Sequence, residues 1–334
     1  MTAVSLGDLA QSFMLRQRNS ALKQDMNRLT TELATGQVAD VRQVLTGNYS
    51  YLTDIERKTD VLAGYGVATA EATYFASTMQ TALGRFDELT QNLSSSLLTA
   101  GTSAIGASGA DTAEEARNTL DGMIGTLNTD IAGRYMFSGT ATDRPPLVDS
   151  GALLNELKLA ISGATTPIDI MVAAKTWFEA PTGYATFAYQ GATEPLAPFA
   201  ISQSESVVLD VRATDPGISK MLRLAAVSAL ADDPAFGLDV AAQSELYAFT
   251  GREMLSTQND ITALRANVGF VEARIDTIAA RNSAEFTSLS FAKAALLEVD
   301  PFETATQLEE VQFQLQSLYS VTVRMSQLSL VNFL

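Results

Sequence analysis

From Leu308 onward, Leu308, Val311, Leu315, Leu318 and Met325 recur at alternating spacings of three and four, with Thr322 in the remaining slot. That spacing lays a narrow apolar seam along one side of a helix, as in a coiled coil. The sequence continues through Leu328, Leu330, Val331, Phe333 and Leu334 with no Gly, Pro or charged residue to interrupt it. The N-terminal segment has a matching pattern. Leu15, Leu22 and Leu29 are seven apart, Met26 and Leu33 fill the intermediate slots, and Asn19 is the one polar residue on the seam. A single Asn at such a position fixes register at some cost in stability. The two segments are expected to pair with each other. A two-helix hairpin of this size is marginal alone, because backbone ordering costs about 1–2 kcal/mol per residue and few large side chains are buried in return. It is therefore expected to order fully only against copies of itself or neighbouring subunits, with these twelve leucine, methionine and valine positions as the assembly interface: Leu15, Leu22, Met26, Leu29, Leu33, Leu308, Val311, Leu315, Leu318, Met325, Leu328 and Leu334.

Between the ends the three/four pattern persists. Leu52, Ile55, Leu62, Met79, Leu83, Phe86, Leu93 and Leu97 predict one helix over about Tyr51–Leu98, with Thr90 in a seam slot. Gly101–Gly109 reads as a loop, and Asp111 with Glu114 as a capping box. The helix that follows carries Leu120, Ile124, Leu127 and Ile131 and is expected to end near Gly133. Val268, Val271, Ile275 and Ile278 continue a seam through Leu289 and Leu296 until Asp300-Pro301, where Pro suits a first helical position. Proline is absent from residues 1–144, and eight of the nine lie between Pro145 and Pro234. Since Pro is excluded from helix interiors, the centre is expected to be irregular or β-containing. Tyr135–Phe137, Thr186–Tyr189 and Val207–Val211 are the strand candidates. The predicted class is mainly α with a small α+β insert. Its N- and C-terminal helices pair as a coiled-coil-like rod on either side of a central β-containing outer domain.

Composition narrows the function. The chain is 46% hydrophobic and 18% charged, as in folded proteins. Its net charge of −16 is uneven, with residues 1–48 at +1, residues 300–334 at −3 and the acidic balance between them. Nearly neutral ends and an acidic middle suit buried ends and a solvated centre. Such acidity opposes nucleic-acid binding, because phosphates would be repelled. No apolar run approaches the ~18 residues of a membrane span, so no membrane insertion is expected. The N-terminal MTAVSLGDLAQSF lacks a basic head and apolar core, which points to a cytoplasmic protein or one exported without a cleavable signal.

Without His or Cys there is no Ser-His-Asp or Cys-His catalysis, no disulfide, and little scope for zinc. GASGAD at Gly106–Asp111 lacks the Lys-Ser/Thr ending of a phosphate loop. Asp232-Asp233-Pro234 reads as a solvated helix-ending turn more readily than as an acid/base pair, and the lone Trp177 as core of the insert. No catalytic, metal or cofactor site is expected.

Three stretches resemble the flagellin-like family. Gly133-Arg134-Tyr135-Met136-Phe137-Ser138-Gly139-Thr140, followed by Asp143-Arg144-Pro145-Pro146, resembles the segment where such chains leave a helical rod for an outer domain. Val268–Asn282 resembles the family's C-terminal rod helix, and Val299–Leu334 its terminal helix. The Met325–Leu330 ending is nearer to the hook–filament junction branch (the third hook-associated protein) than to filament flagellin, whereas Gln37–Asn48 departs from the family pattern.

The resemblance implies an inner terminal-helix domain (1–48 and 300–334), a helical rod domain (49–140 and 204–299) and an outer domain (141–203). It further implies a structural, non-enzymatic axial protein of the bacterial flagellum, exported by the flagellar type III route. Such a protein joins hook to filament and templates flagellin. Its implied partners are copies of itself in a ring, the neighbouring hook-associated junction protein, flagellin, and an export chaperone on the C-terminal helix. Two alternatives stay open: filament flagellin itself, and an unrelated secreted enzyme or adhesin on a helical stalk, with its activity in residues 145–235.

Overall fold

A computed structural model describes residues 6–41, 49–102 and 109–331. The protein is mainly α-helical, with two small antiparallel strand pairs among the described residues. The chain forms two compact units, one from residues 1–63 with 283–334 and one from residues 64–282.

The first unit contains α1 (Leu6–Thr35), the start of α2 (Tyr49–Thr102), the end of α8 (Val240–Leu297) and α9 (Pro301–Val331). Helix α1 stops at Gly36, whose φ of +70° is the left-handed conformation that a β-carbon disfavours. The chain then pairs with the α8–α9 connection: Gln37 and Glu298 form an antiparallel bridge, Val38 N–H donates to Leu297 O, and Val299 N–H donates to Gly36 O. Asp300 caps α9, its Oδ1 accepting from the N–H groups of Phe302 (2.8 Å) and Glu303 (3.3 Å), with Pro301 first in the helix. Leu52 and Leu297 form a small buried contact, flanked by the Lys293–Glu56 ion pair at 2.7 Å.

The second unit holds the large core. The apolar seam of α2 (Met79, Leu83, Phe86, Leu93, Leu97) is fully buried there, and Thr90 fills its seam slot by donating to Asp87 O. Helix α3 (Gly109–Leu127) starts before Asp111, so Asp111 and Glu114 lie inside its first turns and Asp111 is not the cap residue. Most of the Gly101–Gly109 stretch lies outside the described residues. Helix α3 also ends earlier than its periodicity predicts. Ile131 belongs to a two-residue hairpin in which β1 (Asp130–Ile131) pairs with β2 (Arg134–Tyr135). The turn residues Ala132 and Gly133 both have positive φ, as a two-residue turn matched to strand twist requires.

The centre is more helical than its proline content suggests. Pro167 opens α5 (Pro167–Glu179) and Pro216 opens α7 (Pro216–Ala229), so these prolines begin helices and break none. Helix α4 (Ser150–Ala160) is capped by Asp149. Thr186–Tyr189, a strand candidate by alternation, is instead the end of a short helix, α6 (Tyr184–Phe187), followed by an isolated bridge from Tyr189 to Leu147. The Val207–Val211 strand shrinks to β4 (Ser206–Val207), paired with β3 (Phe199–Ala200). Helix α7 is buried along nearly its whole length and packs chiefly on α3. Trp177 is half-buried, edge-on to Phe178.

Buried phenols tie these pieces together. Tyr184 donates to Ala213 O (2.7 Å), Tyr189 to Ala192 O (2.8 Å) and Tyr247 to Gly109 O (2.7 Å). Burial pushes all three phenols up, Tyr189 to about 12. Unfolded tyrosine titrates near 10. Stability is therefore flat with respect to these groups below about pH 10. It then falls by about 1.4 kcal/mol per pH unit per tyrosine, as the unfolded chain releases protons that the folded chain keeps. Urea midpoints measured between about pH 8 and pH 12 test this. Tyr189→Phe removes one share of the slope, and a midpoint unchanged through this range would contradict the assignment.

Candidate assembly interface

Helices α1 and α9 lie antiparallel along each other, as three cross-contacts establish. Gln11 Nε2 donates to the Met325 sulfur at 3.8 Å, Asn19 and Lys23 both lie beside the Tyr319 hydroxyl, and Leu22 shares a groove with Phe313 and Leu318. The polar side chain of Asn19 and then that of Lys23 beside it hold the Tyr319 phenol below its usual range. Asn19, the polar residue of the N-terminal seam, thus meets its partner across the hairpin.

The seam residues come together as their spacing requires. Leu22, Leu29 and Leu315 are buried, and Leu15, Met26, Leu308, Val311, Leu318 and Met325 are half-buried between the helices. Leu33 does not join them. It is 39% exposed, and the adjacent Glu32 turns inward, where Arg28 (2.9 Å) and the Ala39 N–H (3.1 Å) both bond its carboxylate. The last turn of α1 therefore faces the bridge to α8 with a paired carboxylate in place of a leucine. Leu334 and the side chain of Leu328 lie outside the described residues.

Pairing leaves much apolar surface uncovered. Phe13 and Met14 on α1 are exposed, as are Phe302 (83%), Phe313 (70%), Tyr319, Val321 and Val323 on α9. Beside the seam, Arg18, Leu22, Phe313, Ser317, Leu318 and Val321 line an open groove of about 370 Å³. Large exposed apolar side chains concentrated on one element mark an interaction surface more often than scattered ones do. A search for seam positions alone passes over these residues, since they sit off the heptad. The signal available was their size, because large apolar side chains off a coiled-coil seam are left largely uncovered by the partner helix.

No catalytic constellation emerges among the described residues. Asp232 and Asp233 are each paired, Asp232 with Arg117 and Asp233 with Lys158 (2.5 Å), so the turn is a latch between α3, α4 and the end of α7 and is not simply solvated. Partial desolvation raises the Asp233 carboxyl, but Lys158 and the Ala235 N–H outweigh it and hold it below the usual range. No group of three or more Asp or Glu is placed to hold a metal among the described residues. No described helix is long and apolar enough to cross a membrane.

A family model for the bacterial flagellin C-terminal helical region matches residues 255–334, which cover the later part of α8 and all of α9. No curated protein matches the chain. Among solved structures, the chain is similar to a protein of Vibrio parahaemolyticus described as a flagellar hook-associated protein. The identity is 15% and the TM-score 0.47, over 77% of this chain and 98% of the other. Residues 255–334, which include one half of the candidate interface, are thus similar to the C-terminal helical region of bacterial flagellins.

Proposed function

We propose that the protein is a structural axial subunit of the bacterial flagellum, the adaptor that joins hook to filament and templates flagellin. The observation that carries the reading is the flagellin-type match over residues 255–334, falling in part on a helix that leaves Phe302, Phe313 and Val323 exposed among the described residues. Such a surface is suited to burial in an assembly. The terminal helices (1–48 and 300–334) form the inner domain, residues 49–140 and 204–299 the rod, and residues 141–203 the outer domain. The partners are other copies in a ring, the neighbouring hook-associated protein, flagellin, and a chaperone that shields α9 before export. The work is mechanical, and the protein acts outside the cell.

The family description favours one second reading, filament flagellin itself. Deleting the gene separates the two. Hooks without filaments, with flagellin lost into the medium, are the expected result for the adaptor. Hooks without filaments and with no flagellin outside identify the filament subunit. Intact filaments mean that neither reading holds or that a second copy of the gene covers the loss.

A further inference from the structure

Although the chain is acidic, a groove among the described residues carries surplus basic residues. It opens in the second unit between α5, α7 and α8, with a volume of about 440 Å³. Helix α5 turns its core face inward through Ile170, Ala174 and Phe178 and presents a second stripe, Ile168, Val172 and Lys175, to the groove. Ile168 and Val172 are each 59% exposed, so the floor is apolar and open. Phe249 completes it, and the Arg252 guanidinium stacks over that ring at 5.3 Å.

Charge on the rim is unbalanced. Glu253 already receives Arg223 at 2.8 Å and Lys220 at 3.4 Å, so one carboxylate serves two cations. Arg223 is 5% exposed, and its Nε is buried with no hydrogen-bond partner. Lys175 has only the distant Glu179 at 3.9 Å, and Arg252 reaches no carboxylate among the described residues. The groove thus offers an apolar floor with surplus positive charge, on a chain of net charge −16. Its complement is an acidic surface with an apolar centre.

Such a surface exists on the same unit. Asp111, Glu114, Glu115 and Asn118 of α3 surround the half-buried Leu89 of α2 at a second groove of about 500 Å³. We infer that the basic groove of one copy docks the acidic α2–α3 patch of a second copy. This deepens the proposed function and rests on its premise that copies associate. Because the two patches differ, the contact is heterologous, and repeating it head to tail generates a ring or a filament. Rim charges of opposite sign also steer the encounter and set its register.

The test mixes purified full-length chain with a heavy-nitrogen-labelled copy and couples contacting Lys and carboxylate groups with a carbodiimide. Mass spectrometry then identifies mixed-isotope links, and sedimentation velocity measures association. The expected result is a mixed link from Lys175 or Lys220 to Glu114 or Glu115. It is lost at about 1 M salt, where the screening length is about 3 Å. It is lost also in K175E/R252E, whose substitutions are at exposed positions. Mixing that variant with E114K/E115K restores association by exchanging the charges. Association whose mixed links join only α1 and α9 overturns the docking and leaves the self-association reading standing. Sedimentation independent of concentration, with no mixed links at all, overturns both.

Discussion

A chain in which Leu315 and Leu318 are both replaced by serine keeps its second unit folded and no longer enters the assembly. Leu315 is the most buried of the described seam residues of α9, and Leu318 lies beside Leu22 on the groove. Truncating one buried leucine costs about 2–5 kcal/mol, and each serine adds a hydroxyl to an apolar seam. The first unit has little to offset this. Among the described residues its buried apolar side chains are Leu22, Leu29, Leu52, Ile55, Leu62, Leu297 and Leu315. The large core, from Ala72 to Ile278, lies wholly in the other unit and includes neither substituted position. Limited proteolysis is expected to trim the variant to a fragment close to residues 64–282 with its cooperative melt retained. A strain carrying only the variant gene is expected to swim no better than the deletion. Stable incorporation would remove the seam from the assembly mechanism.

What could be read from the chain, and what could not, follows from the range of each physical signal. The three/four spacing is a local, repeated signal, so the long helices and the seam were legible to within a few residues. The hidden parts depend on partners distant in sequence. Thr186–Tyr189 alternates like a strand, but Tyr184 is fixed by the Ala213 carbonyl and Tyr189 by that of Ala192, and these bonds select a helical turn. Pro167 and Pro216 looked like helix breakers because a proline alone does not say which side of it the helix lies on. Leu33 continued the heptad by sequence. It was displaced because Glu32 found Arg28 and the Ala39 N–H, and Ala39 lies past the end of the helix. Asp232 and Asp233 read as solvated because Arg117 and Lys158 are far from them along the chain. The basic groove was illegible for the same reason, since its cations come from three helices.

The second large effect is expected at Phe86. Its ring is fully buried at the middle of the α2 seam, between Leu83 and Leu93, in the core that gathers α2, α3, α7 and α8. Replacing it by alanine removes the transfer free energy of the ring and leaves a cavity that this close-packed interior only partly closes, a loss of about 3–5 kcal/mol. For a unit of this size that corresponds to a fall in melting temperature of roughly 10 °C. The neighbour Asp87 sharpens the expectation. It is 8% exposed, has only Arg265 at 3.4 Å as ion-pair partner, and leaves Oδ1 unpaired, so relaxation of α2 into the cavity would strain a poorly compensated charge. Phe86→Leu, which fills most of the space, is expected to recover more than half of the loss. Calorimetry of the three chains decides the matter. Equal melting of Phe86→Ala and the parent would mean that the α2 seam is not what holds the second unit together. The contrast with the leucine pair is directional. Damage at Leu315 and Leu318 stays in the first unit, whereas damage at Phe86 weakens the core that the first unit, with so few buried residues of its own, cannot replace.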